Sequence, residues 1–302
     1  MTINNTVFKG IICPMLTPFD SEGQIDFAAT RKLVDFLVSQ GVNALLPAGT
    51  TGEGMLLTTS ERMQLAEAVV DQAAGRVAVL VHTGAASTAE TVALTLHAQQ
   101  IGAHGASIIT PYFYSYDDDE LFAHYAAIAR AAPDFPLSLY VYPGNAKQDI
   151  SVELFKRLRS AAPNYVAIKL SSLDLIHFQG YALAGGPGFS PLCGVDGLAL
   201  AALSVGAMGQ VSGNANVFPK PFCSLYAAYA SGDRAAAQEQ QRIIQRIRGL
   251  FKDSLAYFKA ALAWRGMPLG NPRPPIRDLH PAERDNLYDG LEQLISEKPE
   301  IM

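Results

Sequence analysis

A single lysine, Lys169, ends the apolar run Y-V-A-I-K, and no other charged residue lies between Arg159 and Asp174. Lysine is seldom buried without a partner, because taking an ammonium group out of water is costly. An apolar setting therefore favours the neutral amine. A neutral amine is a nucleophile and can condense with a ketone to form a Schiff base. From this stretch alone, a lysine that extends past the strand end into solvent is an equal alternative.

The glycine-rich segment P-A-G-T-T-G-E-G, residues 47–54, is a second candidate for chemistry. Gly49 and Gly52 allow a tight turn that points backbone N–H groups inward, and Thr50 and Thr51 add hydroxyl donors. Such a backbone nest suits a small anion, especially a carboxylate. An ordinary glycine-rich loop remains equally open. The segment has neither the P-loop nor the dinucleotide-binding spacing.

Tyr140 lies in the apolar run L-S-L-Y-V, residues 137–141. Its hydroxyl could relay protons, although an amphipathic core tyrosine explains the same pattern. If the nest, Tyr140 and Lys169 face one site, the nest takes a carboxylate and the lysine attacks the adjacent carbonyl carbon. The tyrosine then moves the protons. This combination predicts chemistry on a 2-keto acid.

Eight apolar runs alternate with amphipathic helical segments and would position these residues. The runs are 10–16, 42–47, 77–82, 105–110, 137–141, 165–169, 189–194 and 206–212, and the helical segments between them are 26–40, 58–74, 87–101, 116–131, 151–160, 172–183 and 196–204. Strands that are apolar throughout are typical of a parallel sheet covered on both faces. Eight such units predict an α/β fold, a closed (β/α)8 TIM barrel, with an open doubly wound sheet as the alternative. In a barrel, catalytic residues stand at the carboxyl ends of the strands.

The remaining chain predicts a C-terminal helical extension. Helical periodicity continues over 215–266 with a turn at 227–234, the proline-rich stretch 267–275 reads as a crossing loop, and a last helix covers 281–296. We therefore expect a catalytic barrel over residues 1–213 and a helical region over 214–302 packed on it. Helix starts are predicted by the capping candidates Asp26, Ser60 and Ser87.

Composition limits the function further. Of 302 residues, 49% are hydrophobic and 17% charged, and the net charge is −5, which argues against a disordered chain and against nucleic-acid or membrane-surface binding. We find no signal peptide and no membrane-spanning run, and three distant cysteines do not indicate a disulfide framework. The histidines form no metal-ligand pair. These features predict a cytoplasmic protein with no catalytic metal.

Several motifs together identify a resemblance. The segments G-T-T-G-E (49–53), L-Y-x-x-P (139–143), I-K (168–169) and G-V-D-G (194–197) occur in this order, alongside the longer stretches 10–19, 109–114 and 206–216. The chain resembles the dihydrodipicolinate synthase/N-acetylneuraminate lyase family over essentially its whole length. The resemblance implies a (β/α)8 class I aldolase, usually a homotetramer built as a dimer of dimers, that needs no metal or other cofactor.

The resemblance also implies roles for individual residues. Lys169 corresponds to the Schiff-base lysine and Tyr140 to the proton-shuttling tyrosine. Thr50 and Thr51 correspond to hydroxyls that hold the substrate carboxylate and pass protons to the tyrosine. The sugar-acid lyases of the family hold substrate hydroxyls with a G-x-D stretch, which here begins at Gly194.

Further candidates for the substrate side follow from that stretch. Asp196 either accepts hydrogen bonds from a polyol chain or simply starts the next helix. Ser171 stands where sugar-acid lyases place a hydroxyl, and Val211 is a candidate to pack against the keto acid. Ser212 and Asn214 are weaker candidates for the same region.

Three positions depart from the synthase pattern. Asn145 replaces an arginine that engages a substrate carboxylate, Val141 replaces an asparagine, and Phe113 replaces a second relay tyrosine contributed across a subunit interface. Asparagine cannot reproduce a bidentate carboxylate clamp, which argues against the lysine-pathway synthase. Glu53 either orients the nest or caps the loop, and His82 either faces the barrel mouth or is a structural imidazole. Cys193 is interpreted as a small buried residue, because no histidine is placed to activate it.

The sequence thus predicts a Schiff-base lyase or aldolase acting on pyruvate or a 2-keto-3-deoxy sugar acid through a lysine imine. Its partners would be a keto acid and an aldehyde. Dihydrodipicolinate synthase and a keto-deoxy sugar-acid dehydratase remain alternatives within the same family. A keto-acid sensor without turnover is the alternative from another class.

Overall fold

Short segments of apolar residues form the strands, and almost every strand residue is buried. The computed structural model describes residues 6–302. The strands are β1 (Gly10–Pro14), β2 (Ala44–Leu46), β3 (Ala78–His82), β4 (Gly105–Ile109), β5 (Leu137–Val141), β6 (Tyr165–Leu170), β7 (Ser190–Cys193) and β8 (Gly209–Val211). All of them pair in parallel in chain order, and β8 closes onto β1 with Ile12 opposite Val211. The closed (β/α)8 barrel is confirmed, and the open sheet is wrong.

Helices follow the strands around the barrel. They are α1 (Phe27–Ser39), α2 (Thr59–Ala73), α3 (Thr88–Gln100), α4 (Asp118–Ala131), the single turn α5 (Pro143–Ala146), α6 (Val152–Ala161), α7 (Leu175–Gly185) and α8 (Ala199–Ser204). Asp26 and Ser87 cap α1 and α3 as predicted. The predicted cap at Ser60 is wrong, because α2 begins at Thr59 and is capped by Thr58, two residues before Ser60, in a capping box with Glu61.

Four helices form the C-terminal extension: α9 (Pro219–Ser231), α10 (Arg234–Phe251), α11 (Leu255–Trp264) and α12 (Pro281–Glu297). The predicted turn at 227–234 lies at Gly232, whose φ of +81° ends α9. The prediction of only two helices over 215–266 is wrong, because a second break lies at 252–254. There Lys252 and Asp253 both adopt left-handed backbone conformations that separate α10 from α11. The domain boundary at residue 213 stays a prediction.

The core has an inner and an outer part. The barrel interior is filled by Phe8, Ile12, Ala44, Leu46, Leu80, Val166, Ala167, Leu192 and Val211. The larger cluster lies between the strands and the surrounding helices and extends into α9–α12, so the extension shares the main core. None of the helices within residues 6–302 is both long and apolar enough to cross a lipid bilayer.

Candidate active site

Lys169 stands near the end of β6 and is buried. Its exposed fraction is 8%, so the interpretation of a lysine extending into solvent is wrong. In the strand register Lys169 lies beside Tyr140 of β5. The lysine Nζ is 3.8 Å from the centre of the Tyr140 ring. This contact places the amine against the face of the tyrosine ring.

Tyr140 connects the lysine to the glycine-rich segment. Its hydroxyl lies 3.3 Å from the Thr50 Oγ1, within hydrogen-bonding distance. Tyr142 stacks on it with ring centres 6.1 Å apart. On another side, the His82 ring meets Tyr140 edge-on, also at 6.1 Å. Burial, together with the nearby charges of Arg62 and Lys169, holds the pKa of His82 well below its usual range, so this imidazole is neutral. His82 therefore fits the structural interpretation.

Residues 48–54 form a tight backbone turn after β2. Ala48 and Glu53 adopt left-handed conformations, with φ of +59° and +56°. A Cβ on Gly54 would lie 1.9 Å from the Ala48 carbonyl oxygen, so this position requires glycine. Within residues 6–302, no acceptor is found for the amide N–H groups of Thr51 and Gly52. This turn thus presents free donors of the kind that bind a carboxylate.

Glu53 anchors this turn to the C-terminal extension. Its side chain forms an ion pair of 2.7 Å with Lys259 of α11, and both side chains are almost fully buried. Its second carboxylate oxygen accepts a hydrogen bond of 2.6 Å from the backbone N–H of Arg273 in the crossing loop. Burial lowers the pKa of Lys259, although the Glu53 charge opposes this shift. Sequence reasoning missed this pair, although Lys259, a lysine within an apolar helix, carried the same signal as Lys169.

Close contacts constrain the segment that follows β7. A Cβ on Gly194 would lie 2.2 Å from the Ser171 Oγ and 2.8 Å from the Lys169 Cε. Only a glycine therefore leaves room for the lysine side chain. Cys193 is buried and its thiol contacts the Val195 carbonyl, and burial raises its pKa to about 12. A thiol in this state is a poor nucleophile at neutral pH.

Asp196 starts a one-turn helix over residues 196–198. Its carboxylate accepts hydrogen bonds from Gln210, Ser212 and Asn214 at 2.6–2.7 Å. Burial raises the pKa of Asp196, while these three hydrogen bonds act in the opposite direction. Asp196 is therefore already engaged by protein donors, and Ser212 and Asn214 contact it directly.

A cavity of about 510 Å³ opens at the carboxyl ends of the strands. Its volume lies within the usual range for small-molecule sites, roughly 300–1,000 Å³. The predicted residues on its wall are Thr50, Thr51, Tyr140, Lys169, Ser171, Gly194, Asp196, Val211 and the weaker candidate Asn214, whereas Ser212 is not on the wall. Gly49 and Gly52 shape the turn but are not on the wall. Wall residues that sequence reasoning missed include Tyr142, Arg248, Asp253, Leu255 and Phe258.

Little in the sequence indicated that these missed residues line the cavity. Tyr142 follows Tyr140 by two positions, which places both at the same end of β5. Arg248 belongs to the polar sequence of α10, where nothing local distinguishes it from the neighbouring arginines. Phe113, which replaces the second relay tyrosine, is 86% exposed and lies off the cavity wall. Among the described residues, no cluster of three or more His, Cys, Asp or Glu side chains could hold a metal ion.

Comparison with known proteins agrees with this geometry. The model of the dihydrodipicolinate synthetase family matches residues 7–294. A 4-hydroxy-tetrahydrodipicolinate synthase from Thermus thermophilus is 37% identical over 283 residues, which cover 93% of this chain and 94% of that protein. An uncharacterized DapA-like lyase from Halobacterium salinarum is 36% identical, with 94% of this chain and 93% of that protein covered.

Solved structures agree as well. Dihydrodipicolinate synthase from Aquifex aeolicus superimposes with a TM-score of 0.91 at 32% identity, covering 95% of this chain and 98% of that one. A prophage protein of the same family from E. coli K12, in complex with pyruvate, gives a TM-score of 0.91 at 30% identity with the same coverage. The chain therefore belongs to the dihydrodipicolinate synthetase family and is an enzyme, a lyase of the class I aldolase type.

Proposed function

We propose that this enzyme cleaves or forms a carbon–carbon bond next to a 2-keto acid, through an imine on Lys169, with pyruvate or a 2-keto-3-deoxy sugar acid as substrate. The observation that carries the proposal is the position of the Lys169 amine. It is buried, it lies 3.8 Å from the Tyr140 ring centre, and it shares one cavity with the Thr50 hydroxyl. An amine nucleophile and a hydroxyl relay are what this chemistry requires.

Binding begins at the turn after β2. The free amide of Thr51 and the hydroxyls of Thr50 and Thr51 receive the substrate carboxylate. This leaves the adjacent carbonyl carbon facing Lys169. The neutral amine attacks that carbon, and loss of water produces the imine. No cofactor takes part, because the imine itself supplies the electron sink.

Cleavage then follows from the protonated imine. The substrate hydroxyl gives its proton to Tyr140, which passes it toward Thr50, and the electrons of the breaking carbon–carbon bond move to the imine nitrogen. The aldehyde leaves, the resulting enamine is protonated, and water releases pyruvate from Lys169. The same steps in reverse join pyruvate to an aldehyde.

The identity of the second substrate depends on the wall opposite the carboxylate. Relatives named as synthases of 4-hydroxy-tetrahydrodipicolinate favour aspartate semialdehyde as the acceptor. Asn145 argues against it, because this wall position holds an amide that lacks a guanidinium fork. We therefore expect weak or no turnover with aspartate semialdehyde and measurable turnover with sugar-acid substrates.

A homotetramer in the cytoplasm completes the proposal. Three large apolar side chains in and beside α7 are exposed: Leu173, Ile176 and Leu183 at 78%, 85% and 77%. Exposed apolar patches on an otherwise polar surface mark sites of protein contact. Their location on α7 supports an assembly in which this helix meets another copy of the chain.

Trapping the imine tests the mechanism. The protein is incubated with pyruvate, reduced with borohydride, digested, and searched by mass spectrometry for the modified peptide. We expect one adduct on Lys169, no adduct in Lys169→Met, and a normal adduct in the control Lys220→Met, which removes an exposed lysine from α9. Absence of the wild-type adduct would contradict the mechanism. An adduct without turnover on any keto acid would favour the sensor.

A further inference from the structure

Helix α10 brings a guanidinium group to the cavity wall. Gln241, Gln245 and Arg248 lie on one face of α10, along the one-turn helix that follows β7. Gln241 donates a hydrogen bond of 3.0 Å to the Asp196 carbonyl, and Gln245 donates one of 3.3 Å to the Gly197 carbonyl. The Arg248 Nη1 is so close to Gly197 that a Cβ there would lie 2.7 Å from it. Arg248 is thus held against the rim of the site.

The charges along the cavity wall differ in how far they are already paired. Glu53 pairs with Lys259, and Asp196 accepts three side-chain hydrogen bonds. Among the described residues on the wall, the cationic side chains are Lys169 and Arg248. Lys169 is assigned to the imine under the proposed function. Arg248 is therefore the cation on the wall that can recognise an anionic group.

Arg248 keeps part of its hydrogen-bonding capacity. Its Nη1 donates to Gln245 at 3.1 Å, and its Nη2 forms an ion pair of 3.1 Å with the partly exposed Asp253 carboxylate. A guanidinium carries five N–H donors, and its others have no partner in the part of the chain that the structure describes. The side chain is 31% exposed and opens toward the cavity. Asp253 and Gln245 orient the group without saturating it.

The barrel topology separates this arginine from the carboxylate nest. The nest follows β2, and Lys169 lies on β6, on the opposite side of the eight-strand ring. Arg248 contacts the segment that follows β7, a strand whose neighbours in the ring are β6 and β8 and not β2. A substrate whose keto-acid end lies between the nest and Lys169 can extend its other end toward α10. A cavity of about 510 Å³ is much larger than pyruvate needs.

We infer that Arg248 determines acceptor specificity by binding a carboxylate at the end of the substrate remote from the imine, so that the preferred acceptor is an acidic aldehyde whose carboxylate reaches α10 and does not depend on the wall at Asn145. This inference rests on the proposed function. A carboxylate matches the planar guanidinium fork and carries a single charge. A phosphate dianion fits less well, because Asp253, Asp196 and Glu53 place three carboxylates on the same wall.

Matched aldehydes test the inference. Wild-type protein and Arg248→Gln are assayed for condensation of pyruvate with succinic semialdehyde and with butyraldehyde, which differ by a carboxylate in place of a methyl group. We expect wild-type kcat/KM to favour succinic semialdehyde. In Arg248→Gln this preference should fall about 10- to 100-fold, mainly through the KM for the acidic acceptor, as expected for loss of a charged hydrogen bond.

Arg242→Gln is the matched control. Arg242 lies on the same helix, pairs with Glu239 on the surface and is 72% exposed. The Arg242→Gln substitution removes the same charge at a position outside the cavity. This variant should therefore keep the wild-type preference for succinic semialdehyde over butyraldehyde. An equal preference in the Arg248 and Arg242 variants would overturn the inference. A larger loss with glyceraldehyde 3-phosphate relative to glyceraldehyde than with the acidic pair would overturn the choice of carboxylate.

The two proposals fail in distinguishable ways. If wild-type protein forms no reducible adduct on Lys169, the proposed function fails and the inference falls with it. If the adduct forms and wild-type protein turns over butyraldehyde as well as succinic semialdehyde, the inference alone is overturned.

Discussion

At the level of single residues, the Lys169 side chain has room because position 194 is a glycine, which has no Cβ. Gly194 lies so close to Lys169 and Ser171 that any Cβ would overlap both. The neighbouring residues on β6 are buried, so the lysine has little room to move aside. Its nitrogen must stay near the Tyr140 ring for the proposed proton transfers to occur, because small displacements of reacting groups greatly lower the reaction rate.

Gly194→Ala tests this requirement. A methyl group 2.8 Å from the Lys169 Cε would push the amine out of line. We expect the rate of adduct formation with pyruvate and kcat to fall about 10- to 100-fold. Overpacking should also lower the free energy of unfolding by about 1–3 kcal/mol. Quenched borohydride reduction measures the rate of adduct formation, and urea denaturation measures stability.

Gly249→Ala supplies the comparison for that variant. A Cβ on Gly249 would meet nothing within 4 Å, and the residue lies within α10, where alanine is the better helix former. It should therefore keep wild-type rates and be equally or slightly more stable. A Gly194→Ala protein with wild-type rates would show that the lysine is not confined as described.

At the level of elements, the C-terminal extension holds the catalytic end of the barrel in place. Lys259 of α11 and the crossing loop at Arg273 both bind Glu53, which directly follows the proposed carboxylate nest. Arg273 also binds Glu61 of α2 at 2.7 Å, and this contact lowers the pKa of Glu61 to about 2. The loop after β2 is thus tied to elements about 200 residues later in the chain.

Lys259→Met should destabilise the protein strongly. It leaves the Glu53 carboxylate buried without its cation, which typically costs about 3–5 kcal/mol. Urea denaturation of the two proteins at pH 7 measures the difference. Because the turn loses its anchor, we also expect a higher KM for pyruvate.

Two further variants sharpen that experiment. Lys298→Met breaks a surface ion pair with Glu239 at 2.8 Å and should lower the free energy of unfolding far less, because an exposed ion pair contributes little to stability. The double variant Glu53→Gln, Lys259→Met removes both buried charges and should recover part of the lost stability. Equal losses of the free energy of unfolding in the Lys259 and Lys298 variants would show that burial does not strengthen the Glu53–Lys259 ion pair.

At the level of the whole molecule, the surface distribution of apolar residues points to assembly. Leu173, Ile176 and Leu183 repeat at near-helical spacing in and beside α7 and are almost fully exposed. The buried residues of the same helix, Phe178 and Tyr181, lie on another face. A helix that is apolar on both faces usually buries both. The outer face is therefore the proposed contact with another copy.

Ile176→Glu should reduce the size of the assembly. A charge placed at the centre of an apolar contact must be desolvated on association, which is unfavourable. Light scattering after size-exclusion chromatography should show a mass below that of a tetramer at micromolar concentration. Leu96→Glu on α3 changes a less exposed apolar residue elsewhere and should keep the wild-type mass. Identical masses for both variants would exclude the α7 face as a contact.

Much of the architecture follows from local sequence. The strands were predictable because each is a short apolar run between amphipathic helices, and Asp26 and Ser87 cap their helices through contacts within three residues. The error at Ser60 is also local, since Thr58 and Glu61 form a reciprocal cap that outcompetes it. The break at 252–254 was missed because Lys252, the first of its two left-handed residues, is not of a type that normally marks such a turn.

Some residues of the proposed site could likewise be predicted from local sequence, and others could not. Lys169, Tyr140 and the 47–54 turn could be found from the sequence, because each stands at the end of an apolar strand and the barrel places all strand ends together. The role of Lys259 and the place of Arg248 were not accessible in this way. Their partners, Glu53 and the turn at Asp196, are distant in the chain, and burial and charge pairing depend on which distant segments meet. Local patterns specify strands, helices and their order, whereas packing of the last four helices against the barrel selects the charges that reach the cavity.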